Sequence, residues 1–381
     1  MIPYGRQDIT QDDVDAVVDI LTSDFLTQGP AVPAFEEQLC DVTGANYATA
    51  VNSATSALHI SCLALGVDKG DIVWTVPNTF VASANCALYC GATVDFVDID
   101  LETYNISIAQ LNEKLENASR AGNLPKVVIP VHFSGEPCDM QAIKQLSDIY
   151  GFKIIEDASH AIGARYRNSM IGSCEYSDIT VFSFHPVKII TSGEGGAALT
   201  MDAEIDKRLK LLRSHGITRD TNLMRNVKTD PWYYEQLELG YNYRLTDIAA
   251  ALGLSQLDKI RKFLERRHRI AVRYDEAFSN TDIISPFRSH HSYSSLHLYV
   301  IQTHEKKRDF LMRKLRERGI LVNLHYLPVH MQPYFQQLGF KQGNFPNAEY
   351  FAQCSLSLPI YPKLESSDQD FVIKNILEIN S

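Results

Sequence analysis

The sequence predicts an α/β fold in which helices cover both faces of a mostly parallel central sheet. From about residue 46, short runs rich in valine and isoleucine alternate with segments of helical period. The runs are apolar almost throughout rather than at alternate positions, which is typical of parallel strands buried on both faces. After about residue 245 this pattern ends, and a smaller α+β unit is expected at the C-terminal end.

Composition and charge exclude several classes of protein. Hydrophobic residues make up 45% of the 381-residue chain and charged residues 22%, which is ordinary for a globular protein and not for a disordered one. The 36 lysines and arginines against 46 acidic residues give a net charge of −10, which argues against nucleic-acid binding. No apolar run approaches the roughly 18 residues that cross a bilayer, so no membrane association is expected.

The length allows about two domains of roughly 150 residues each. We expect a large domain over residues 1–245 and a small C-terminal domain over residues 246–381. The first eight residues lack a charged segment followed by an apolar stretch, so no secretory signal is expected. The seven cysteines are scattered without a CxxC pair, which favours buried, unpaired thiols in a reduced, cytoplasmic protein.

The predicted strands of the central sheet follow one another along the chain, with helices predicted at 55–65 and 82–89. These strands are Tyr47–Val51, Ile72–Val76, Thr93–Val97, Val127–Val131, Lys153–Ile155, Thr180–Phe184 and Ala197–Thr200. Ligands of such sheets bind beyond the carboxyl ends of the strands. We therefore expect the chemistry directly after these strands.

The C-terminal part is predicted to begin with one long charged helical region, Asp247–Phe278. Its basic stretch at 261–269 is interrupted by Glu265, which favours a solvated or subunit-facing helix over a nucleic-acid site. The remaining predicted elements are a strand at 298–301, a helix at 306–318, a strand at 320–324 and a last helix near 368–376.

Three motifs carry the chemistry, and the first is Asn52–Leu58, which joins a strand to a helix. Its small and hydroxyl-bearing residues expose free N–H groups at a helix N-terminus, where the helix dipole favours an anion. Ordinary N-capping by Ser53 or Thr55 is the alternative. The motif is compatible with a phosphate site and does not establish one.

The second motif places Glu156, Asp157 and His160 at the carboxyl end of a strand. An acid at this position is a candidate metal ligand, general base or partner of a cationic ring nitrogen, and a structural role is equally open. The third motif places Lys188 in an apolar run before a glycine turn. Desolvation there lowers the pKa of the amine, as Schiff-base chemistry requires, whereas a surface lysine is the alternative.

The order of the three motifs indicates pyridoxal 5′-phosphate (PLP). Its phosphate needs N–H donors, its pyridine nitrogen needs a carboxylate and its aldehyde needs an amine. The sequence supplies these groups in one chain as a helix start, an acid of the pair Glu156 and Asp157, and Lys188.

The sequence resembles the DegT/DnrJ/EryC1 family of PLP-dependent nucleotide-sugar aminotransferases, and the resemblance covers nearly the whole chain. It rests on the segments 26–30, 52–58, 156–164, 182–196, 213–216, 240–244 and 325–330. Within the family, the motifs are most similar to the branch of pseudaminic acid biosynthesis. That branch transfers an amino group from L-glutamate to C4 of UDP-2-acetamido-2,6-dideoxy-β-L-arabino-hexos-4-ulose. His160 stands where many members of the family carry glutamine.

The resemblance implies fold type I of the PLP-dependent aminotransferases, with a PLP-binding large domain. Lys188 resembles the lysine that forms the Schiff base and moves a proton in a ping-pong reaction. Asp157 resembles the residue that keeps the pyridine nitrogen protonated, and Phe80 the aromatic residue that stacks on the ring. Simple core packing is the alternative for Phe80.

The resemblance also assigns the remaining candidate residues. Ala54, Thr55 and Ser183 would bind the phosphate, and His160 would lie near the 3′-oxygen of PLP. Asn242 would reach the phosphate across a subunit interface, which implies a homodimer with shared active sites. The residues that match the nucleotide-sugar pocket are Tyr4, Thr27, Gln28, His325 and Tyr326.

Two other functions stay open from the sequence. One is a sugar 4-aminotransferase for another 4-keto-6-deoxy nucleotide sugar, of the bacillosamine, perosamine or lipid A arabinose type. The other is an inactive relative that binds a nucleotide sugar. The presence of both Lys188 and Asp157 disfavours the inactive relative.

Overall fold

The computed structural model describes residues 1–226, 230–304 and 307–380. Its strands, numbered along the chain, are β1 (Ile2–Pro3), β2 (Tyr47–Val51), β3 (Ile72–Thr75), β4 (Thr93–Phe96), β5 (Val127–Val128), β6 (Lys153–Asp157), β7 (Arg165–Tyr166), β8 (Ser169–Met170), β9 (Ile179–Ser183), β10 (Gly196–Thr200), β11 (Ile217–Thr218), β12 (Glu235–Gln236), β13 (Ser292–Tyr293), β14 (Tyr299–Gln302), β15 (Ile320–Leu321) and β16 (Ser355–Leu358).

The α-helices lie between these strands and at both ends of the chain. They are α1 (Gln11–Leu21), α2 (Ala31–Thr43), α3 (Ala54–Ala64), α4 (Ala82–Tyr89), α5 (Ile108–Ala121), α6 (Met140–Tyr150), α7 (Ala203–Arg213), α8 (Asp247–Leu257), α9 (Ile260–Phe278), α10 (Arg308–Glu317), α11 (Pro333–Gln337), α12 (Pro346–Cys354) and α13 (Ser366–Asn380). Among the described residues, no helix combines the length and apolar character needed to span a membrane.

Within the described residues, seven strands form the central sheet, in the order β2-β10-β9-β6-β5-β3-β4. The strands from β9 to β4 pair in parallel, and β10 runs antiparallel to both β9 and β2. The predicted mostly parallel sheet is confirmed, with β10 as its antiparallel member.

Helices cover both faces of this sheet, as the apolar strands predict. Alternate residues of each strand enter two different hydrophobic clusters, because successive side chains of a strand point to opposite faces. One cluster contains Trp74, Val128, Ile154 and Phe182, and the other contains Val73, Val127, Ile155 and Val181. Both faces of the central strands are therefore buried.

A smaller α+β unit follows, as predicted. Its strands β14 and β16 pair antiparallel, and a third hydrophobic cluster joins them to α9, α10 and α13. The first strand of the chain, β1, pairs in parallel with β15 and brings Ile2 into this cluster. The division of the chain at residue 245 stays a prediction.

The prediction of one continuous helical region over Asp247–Phe278 is wrong. The chain turns at Asp258 and Lys259, and two helices, α8 and α9, result. The Lys259 amine reaches back to the buried Asp13 carboxylate at 2.5 Å. The helices also pack on different partners, since α8 contacts α1 and α2 whereas α9 contributes to the C-terminal cluster.

Two further expectations are corrected by the structure. The strand predicted over Val127–Val131 ends at Val128, because Pro130 has no N–H to donate to a neighbouring strand. The basic stretch on α9 is not solvated throughout, since Arg267 is buried and donates to three backbone carbonyls. The helix predicted from Lys306 is observed as α10, and Lys306 itself lies outside the described residues.

Candidate active site

A cavity of about 530 Å³ opens at the carboxyl ends of the central strands. Strand β6 ends there at Asp157 and β9 at Ser183, and β2 leads into the start of α3. The predicted site residues that line the cavity are Tyr4, Ala54, Thr55, Phe80, Asp157, His160, Ser183, Lys188, His325 and Tyr326. The structure thus brings together residues that are up to 322 positions apart in the sequence.

The N-terminus of α3 forms one wall of the cavity. The Ser53 hydroxyl caps the helix by accepting a hydrogen bond from the Ser56 N–H at 3.1 Å. The N–H groups of Ala54 and Thr55 belong to the first turn, where a helix offers no acceptor of its own. Both the capping role and the free N–H groups foreseen for this motif are therefore present.

Strand β10 approaches this helix start closely. A Cβ atom on Gly196 would lie 2.5 Å from the backbone nitrogen of Ala54, so the approach requires glycine. Gly196 pairs with Ser183 in the sheet, which places a hydroxyl-bearing residue beside the helix start. Free N–H groups, a helix dipole and a hydroxyl form a cradle suited to a phosphate.

The Asp157 carboxylate faces the cavity and is held in place by two donors. The Ser83 hydroxyl donates to one oxygen at 2.6 Å, and the Ser159 N–H donates to the other at 3.1 Å. Ser83 lies in the first turn of α4 and also contacts the Thr79 hydroxyl at 2.8 Å. Two neutral donors therefore orient the carboxylate, and among the described residues no cation forms an ion pair with it.

Glu156 points to the opposite face of the sheet and has a structural role. Its carboxylate accepts hydrogen bonds from His132 Nε2 at 2.7 Å, from the Thr180 hydroxyl at 2.9 Å and from the Ser177 hydroxyl. Burial acts to raise the pKa of Glu156, but the contacts with His132 outweigh it and the pKa is lowered. Of the two acids in the motif, only Asp157 lines the cavity.

Lys188 also lines the cavity, in the turn that follows β9. Its backbone N–H donates to the His185 carbonyl at 2.8 Å, and the next residue, Ile189, is buried. Burial of the amine lowers its pKa from 10.5 to about 8, against the opposing attraction of the Asp157 carboxylate. The lysine is thus partly desolvated, as the apolar run predicts.

Three buried imidazoles line the cavity, and two of them were predicted. His160 Nε2 lies 3.1 Å from the Tyr326 hydroxyl, and His325 Nδ1 lies 2.7 Å from the Ser357 hydroxyl. The third is His297, whose ring centre is 4.4 Å from that of His160. Burial, together with the charge of Lys188, lowers the pKa of His325 to about 3 and that of His160 well below its usual range.

The segment at 325–329 closes the cavity from the C-terminal part of the chain. The Tyr326 N–H donates to the Asn78 side chain at 3.3 Å, and the Val329 N–H donates to the Pro77 carbonyl at 2.8 Å. The peptide bond before Tyr326 is cis. Phe80 lies in the same region with 59% of its surface exposed, so its ring is open to a ligand and is not packed in the core.

Three predicted site residues, Thr27, Gln28 and Asn242, do not line the cavity. All three are exposed. Thr27 pairs with Thr246, and Asn242 pairs with Ser214. The role of Thr27 and Gln28 in the nucleotide-sugar pocket stays a prediction. The same holds for the role of Asn242 at the phosphate across a subunit interface.

The structure adds residues that the sequence motifs did not indicate. Ser83 orients Asp157, His297 lines the cavity beside His160, and Asn323 and Glu194 complete the lining. The only hint of Ser83 in the sequence is weak: it follows β3 by eight residues, and ligands of such sheets are expected after the strand ends. His297 is a single histidine before a strand, and nothing in its local sequence distinguishes it from an interior histidine.

The family model of the DegT/DnrJ/EryC1/StrS aminotransferases matches residues 7–377 of the chain. The chain belongs to this family. It is therefore an aminotransferase, and the resemblance seen in the motifs is confirmed.

Members of the DegT/DnrJ/EryC1/StrS family from bacteria align with the chain over almost its full length. The UDP-4-amino-4,6-dideoxy-N-acetyl-β-L-altrosamine transaminase of Campylobacter jejuni strain 81-176 is 38% identical over 384 residues, which cover 100% of this chain and 97% of that protein. The spore coat polysaccharide biosynthesis protein SpsC of Bacillus subtilis is also 38% identical, over 99% of this chain and 97% of its own.

Solved structures of the same family share the fold. PseC of Helicobacter pylori, an aminotransferase involved in the biosynthesis of pseudoaminic acid, superposes with a TM-score of 0.91 and 33% identity, over 100% and 99% of the two chains. The PLP-form of Spr1654, a candidate sugar aminotransferase of Streptococcus pneumoniae, gives a TM-score of 0.89 at 29% identity, over 100% and 98%. The predicted aminotransferase fold is confirmed.

Proposed function

We propose that the chain is a PLP-dependent nucleotide-sugar aminotransferase that uses Lys188. The observation that carries this proposal is a lysine amine of lowered pKa in the same cavity as a buried carboxylate and an open helix N-terminus. The donor is L-glutamate, and the acceptor is UDP-2-acetamido-2,6-dideoxy-β-L-arabino-hexos-4-ulose, which is aminated at C4. The two substrates use the same cavity in turn, as in a ping-pong reaction.

The residues of the cavity fit PLP group by group. The cradle at Ala54, Thr55 and Ser183 suits the phosphate, because Gly196 leaves the helix start accessible. Asp157 suits a protonated pyridine nitrogen, since its carboxylate is oriented by two neutral donors and forms no ion pair with the described residues. The exposed ring of Phe80 offers a face for stacking.

When bound, PLP supplies an aldehyde that takes up the donor's amine and a ring that stabilises negative charge. Lys188 is the nucleophile for that aldehyde, because a pKa of about 8 leaves a useful fraction of its amine neutral near pH 7. The same amine, with its lowered pKa, would also accept and return a proton beside the carbon that carries the donor's amino group. Asp157 holds a proton on the ring nitrogen through its charge.

His160 and Tyr326 provide neutral hydrogen-bonding groups beside the reacting atoms. His160 Nε2 lies 3.1 Å from the Tyr326 hydroxyl, and we place this pair near the 3′-oxygen of PLP. The lowered pKa of His160 keeps the imidazole uncharged at neutral pH. Tyr4 and His325, whose ring centres are 5.1 Å apart, line the side of the cavity that we assign to the nucleotide sugar.

We further propose a homodimer in which Asn242, Thr27 and Gln28 complete the partner's cavity. Exposed apolar side chains stand close to these residues in sequence: Phe25 and Leu26 precede Thr27, and Leu239, which is 77% exposed, precedes Asn242. Such exposed apolar groups are typical of surfaces covered by another subunit. The cysteines are unpaired thiols, which suits the reducing cytoplasm.

The name of the C. jejuni transaminase supports the proposed acceptor. SpsC, a spore coat polysaccharide biosynthesis protein, is equally identical to this chain, so identity alone does not favour the reaction of one relative over the role of the other. Turnover assays with epimeric 4-keto UDP- and dTDP-sugars, with NMR of the product, test the choice. Preference for a D-configured sugar would contradict the L-arabino acceptor.

The assignment of Lys188 is tested by replacing it with alanine. We expect Lys188→Ala to abolish turnover and the absorbance of covalently bound PLP, because no other lysine of the described residues lines the cavity. Lys153→Ala is the matched control, since Lys153 lies at the other end of β6 and pairs with Asp178 at 2.8 Å. Full activity with an unchanged spectrum in Lys188→Ala would refute the proposal.

A further inference from the structure

His297 is a buried imidazole of the cavity whose Nε2 makes no hydrogen bond with the described residues. It precedes β14, is 3% exposed and lines the cavity. Its Nδ1 is buried without a partner. Its Nε2 has no hydrogen bond among the described residues and is not one of the buried unpaired atoms, so we infer that it is the nitrogen open to the cavity. In contrast, His160 Nε2 lies 3.1 Å from the Tyr326 hydroxyl, and His325 Nε2 lies 3.5 Å from the Asn323 side-chain nitrogen.

A buried cation lies directly behind His297. Arg267 of α9 donates through Nη1 to the carbonyl oxygens of His297 at 3.1 Å, Leu296 at 3.2 Å and Ile360 at 3.0 Å. No carboxylate lies within ion-pair distance of it in the part of the chain that the structure describes. Burial lowers the pKa of Arg267 to about 9. Its positive charge is thus held in the protein without an anion, which favours an anion nearby.

The loop that carries His297 is held in place on its other side. The Ser295 N–H donates to the Gly135 carbonyl at 3.1 Å, and the Leu298 N–H donates to the Ser134 carbonyl at 3.2 Å. The Ser295 hydroxyl donates to the backbone oxygen of His160 at 2.6 Å. The imidazole of His297 is therefore oriented before any ligand binds, which reduces the entropic cost of binding.

The charges around His297 select the kind of ligand. Burial lowers its pKa well below the usual range, with further contributions from His160, Lys188 and Arg267, so the ring is neutral. A neutral imidazole with Nε2–H is a donor to a ligand oxygen. The positive charges of Lys188 and Arg267 make an anionic oxygen a more favourable ligand atom than a neutral one. Of the acids that line the cavity, Asp157 already accepts a hydrogen bond from Ser83, and Glu194 is exposed at the rim.

We propose that His297 binds the α-carboxylate of the amino-acid donor through Nε2–H, with Arg267 providing the positive charge behind it. This inference rests on the proposed function. The α-carboxylate is attached to the carbon that carries the transferred amine, so it must lie close to Lys188, whose charge His297 experiences. The donor, rather than the nucleotide sugar, is therefore the substrate whose binding depends on His297.

The test compares two substitutions in the PLP-loaded enzyme. Titration with L-glutamate, followed by the absorbance change of the cofactor, gives an apparent Kd without turnover. We expect His297→Phe to raise this Kd on the order of tenfold, because a charged hydrogen bond is lost. His297→Gln places an amide N–H near the position of Nε2, so its Kd should rise roughly threefold or less. The KM for the nucleotide sugar should change less than about twofold in both.

A matched control separates ligand contact from loosening of the loop. His268 of α9 also contacts this loop, with Nε2 2.8 Å from the Ser294 carbonyl, but it does not line the cavity. His268→Asn should leave the Kd for L-glutamate unchanged. An equal rise in His268→Asn and His297→Phe, or a rise only in the KM for the nucleotide sugar, would overturn the proposal. Because Lys188 and the cofactor spectrum are retained, these outcomes leave the proposed function standing.

4-Aminobutyrate, which lacks the α-carboxylate of glutamate, provides a second readout. The wild-type enzyme should bind L-glutamate more tightly than 4-aminobutyrate, and His297→Phe should reduce that ratio on the order of tenfold. An unchanged ratio would show that His297 does not contact the α-carboxylate.

Discussion

Neighbouring residues of the same chemical type receive different roles from their surroundings. Glu156 and Asp157 are adjacent in β6, yet the first is bonded by His132 on one face of the sheet and the second faces the cavity on the other. Lys153 begins the same strand as an exposed ion pair, whereas Lys188 is desolvated in the cavity. Strand alternation and burial, rather than residue type, decide which groups are available for chemistry.

The lowered pKa of Lys188 predicts how cofactor loading depends on pH. Only the neutral amine attacks an aldehyde, so the rate of PLP incorporation into cofactor-free enzyme should rise with pH and level off above about 8. Stopped-flow absorbance between pH 6 and pH 10 measures this rate. Nα-acetyl-lysine is the control, because its unburied amine should keep gaining reactivity up to about pH 10.4. An enzyme profile that follows the control would contradict the lowered pKa.

At the scale of elements, the proposed phosphate cradle depends on the antiparallel strand of the central sheet. Strand β10 runs antiparallel between β2 and β9 and passes the start of α3. The approach is possible because Gly196 has no side chain. The first turn of α3 keeps its N–H groups open to the cavity, since Ser53 caps only the N–H of Ser56. A strand and a helix far apart in sequence thus form the site together.

Replacing Gly196 with alanine tests this packing. The added methyl group would contact the backbone of Ser53 and Ala54 at 2.6 Å or less, so the helix start must move away. We expect a loss of about 1–3 kcal/mol in the free energy of unfolding, measured with urea. The apparent Kd for PLP should rise on the order of tenfold.

Pyridoxal is the control ligand for Gly196→Ala, because it lacks the phosphate. Its affinity should change much less than that of PLP. A similar loss for both ligands would place the phosphate elsewhere in the cavity.

At the scale of the whole molecule, the cavity is assembled from the central sheet and the C-terminal part. The segment at 325–329 docks on Pro77 and Asn78, and β1 joins β15, which brings Tyr4 to the cavity. Arg267 fixes the loop before β14 from the side of α9. Thr27 and Asn242 are exposed and do not line this cavity, and we propose that they act in the cavity of a second copy.

Mixing two variants, each expected to be inactive alone, tests the proposal that the subunits share their active sites. A dimer of Lys188→Ala with Asn242→Ala contains one cavity with both native residues, provided that Asn242 acts in the partner's cavity. We expect a mixture refolded from equal amounts to recover about a quarter of wild-type activity, since half of the randomly paired dimers are mixed. Each variant alone, refolded in the same way, is the control. No recovery from verified mixed dimers would show that Asn242 acts within its own subunit or not at all.

Much of the fold and the centre of the site could be predicted from local sequence. Apolar strands indicated a sheet buried on both faces, and the motifs around Asp157 and Lys188 lie at strand ends, where parallel sheets present their ligands. The antiparallel direction of β10 and the break between α8 and α9 were not predictable, because they depend on contacts with distant elements such as Asp13.

The sequence by itself determined which residue types are present at the strand ends, since the pattern of apolar and small residues is local. Only the tertiary structure decided that Glu156 faces away from the cavity, that Ser83 orients Asp157, and that His297 lies beside His160. These relations join residues from different strands, helices and loops. Their distances and burial arise from packing, which no local pattern records.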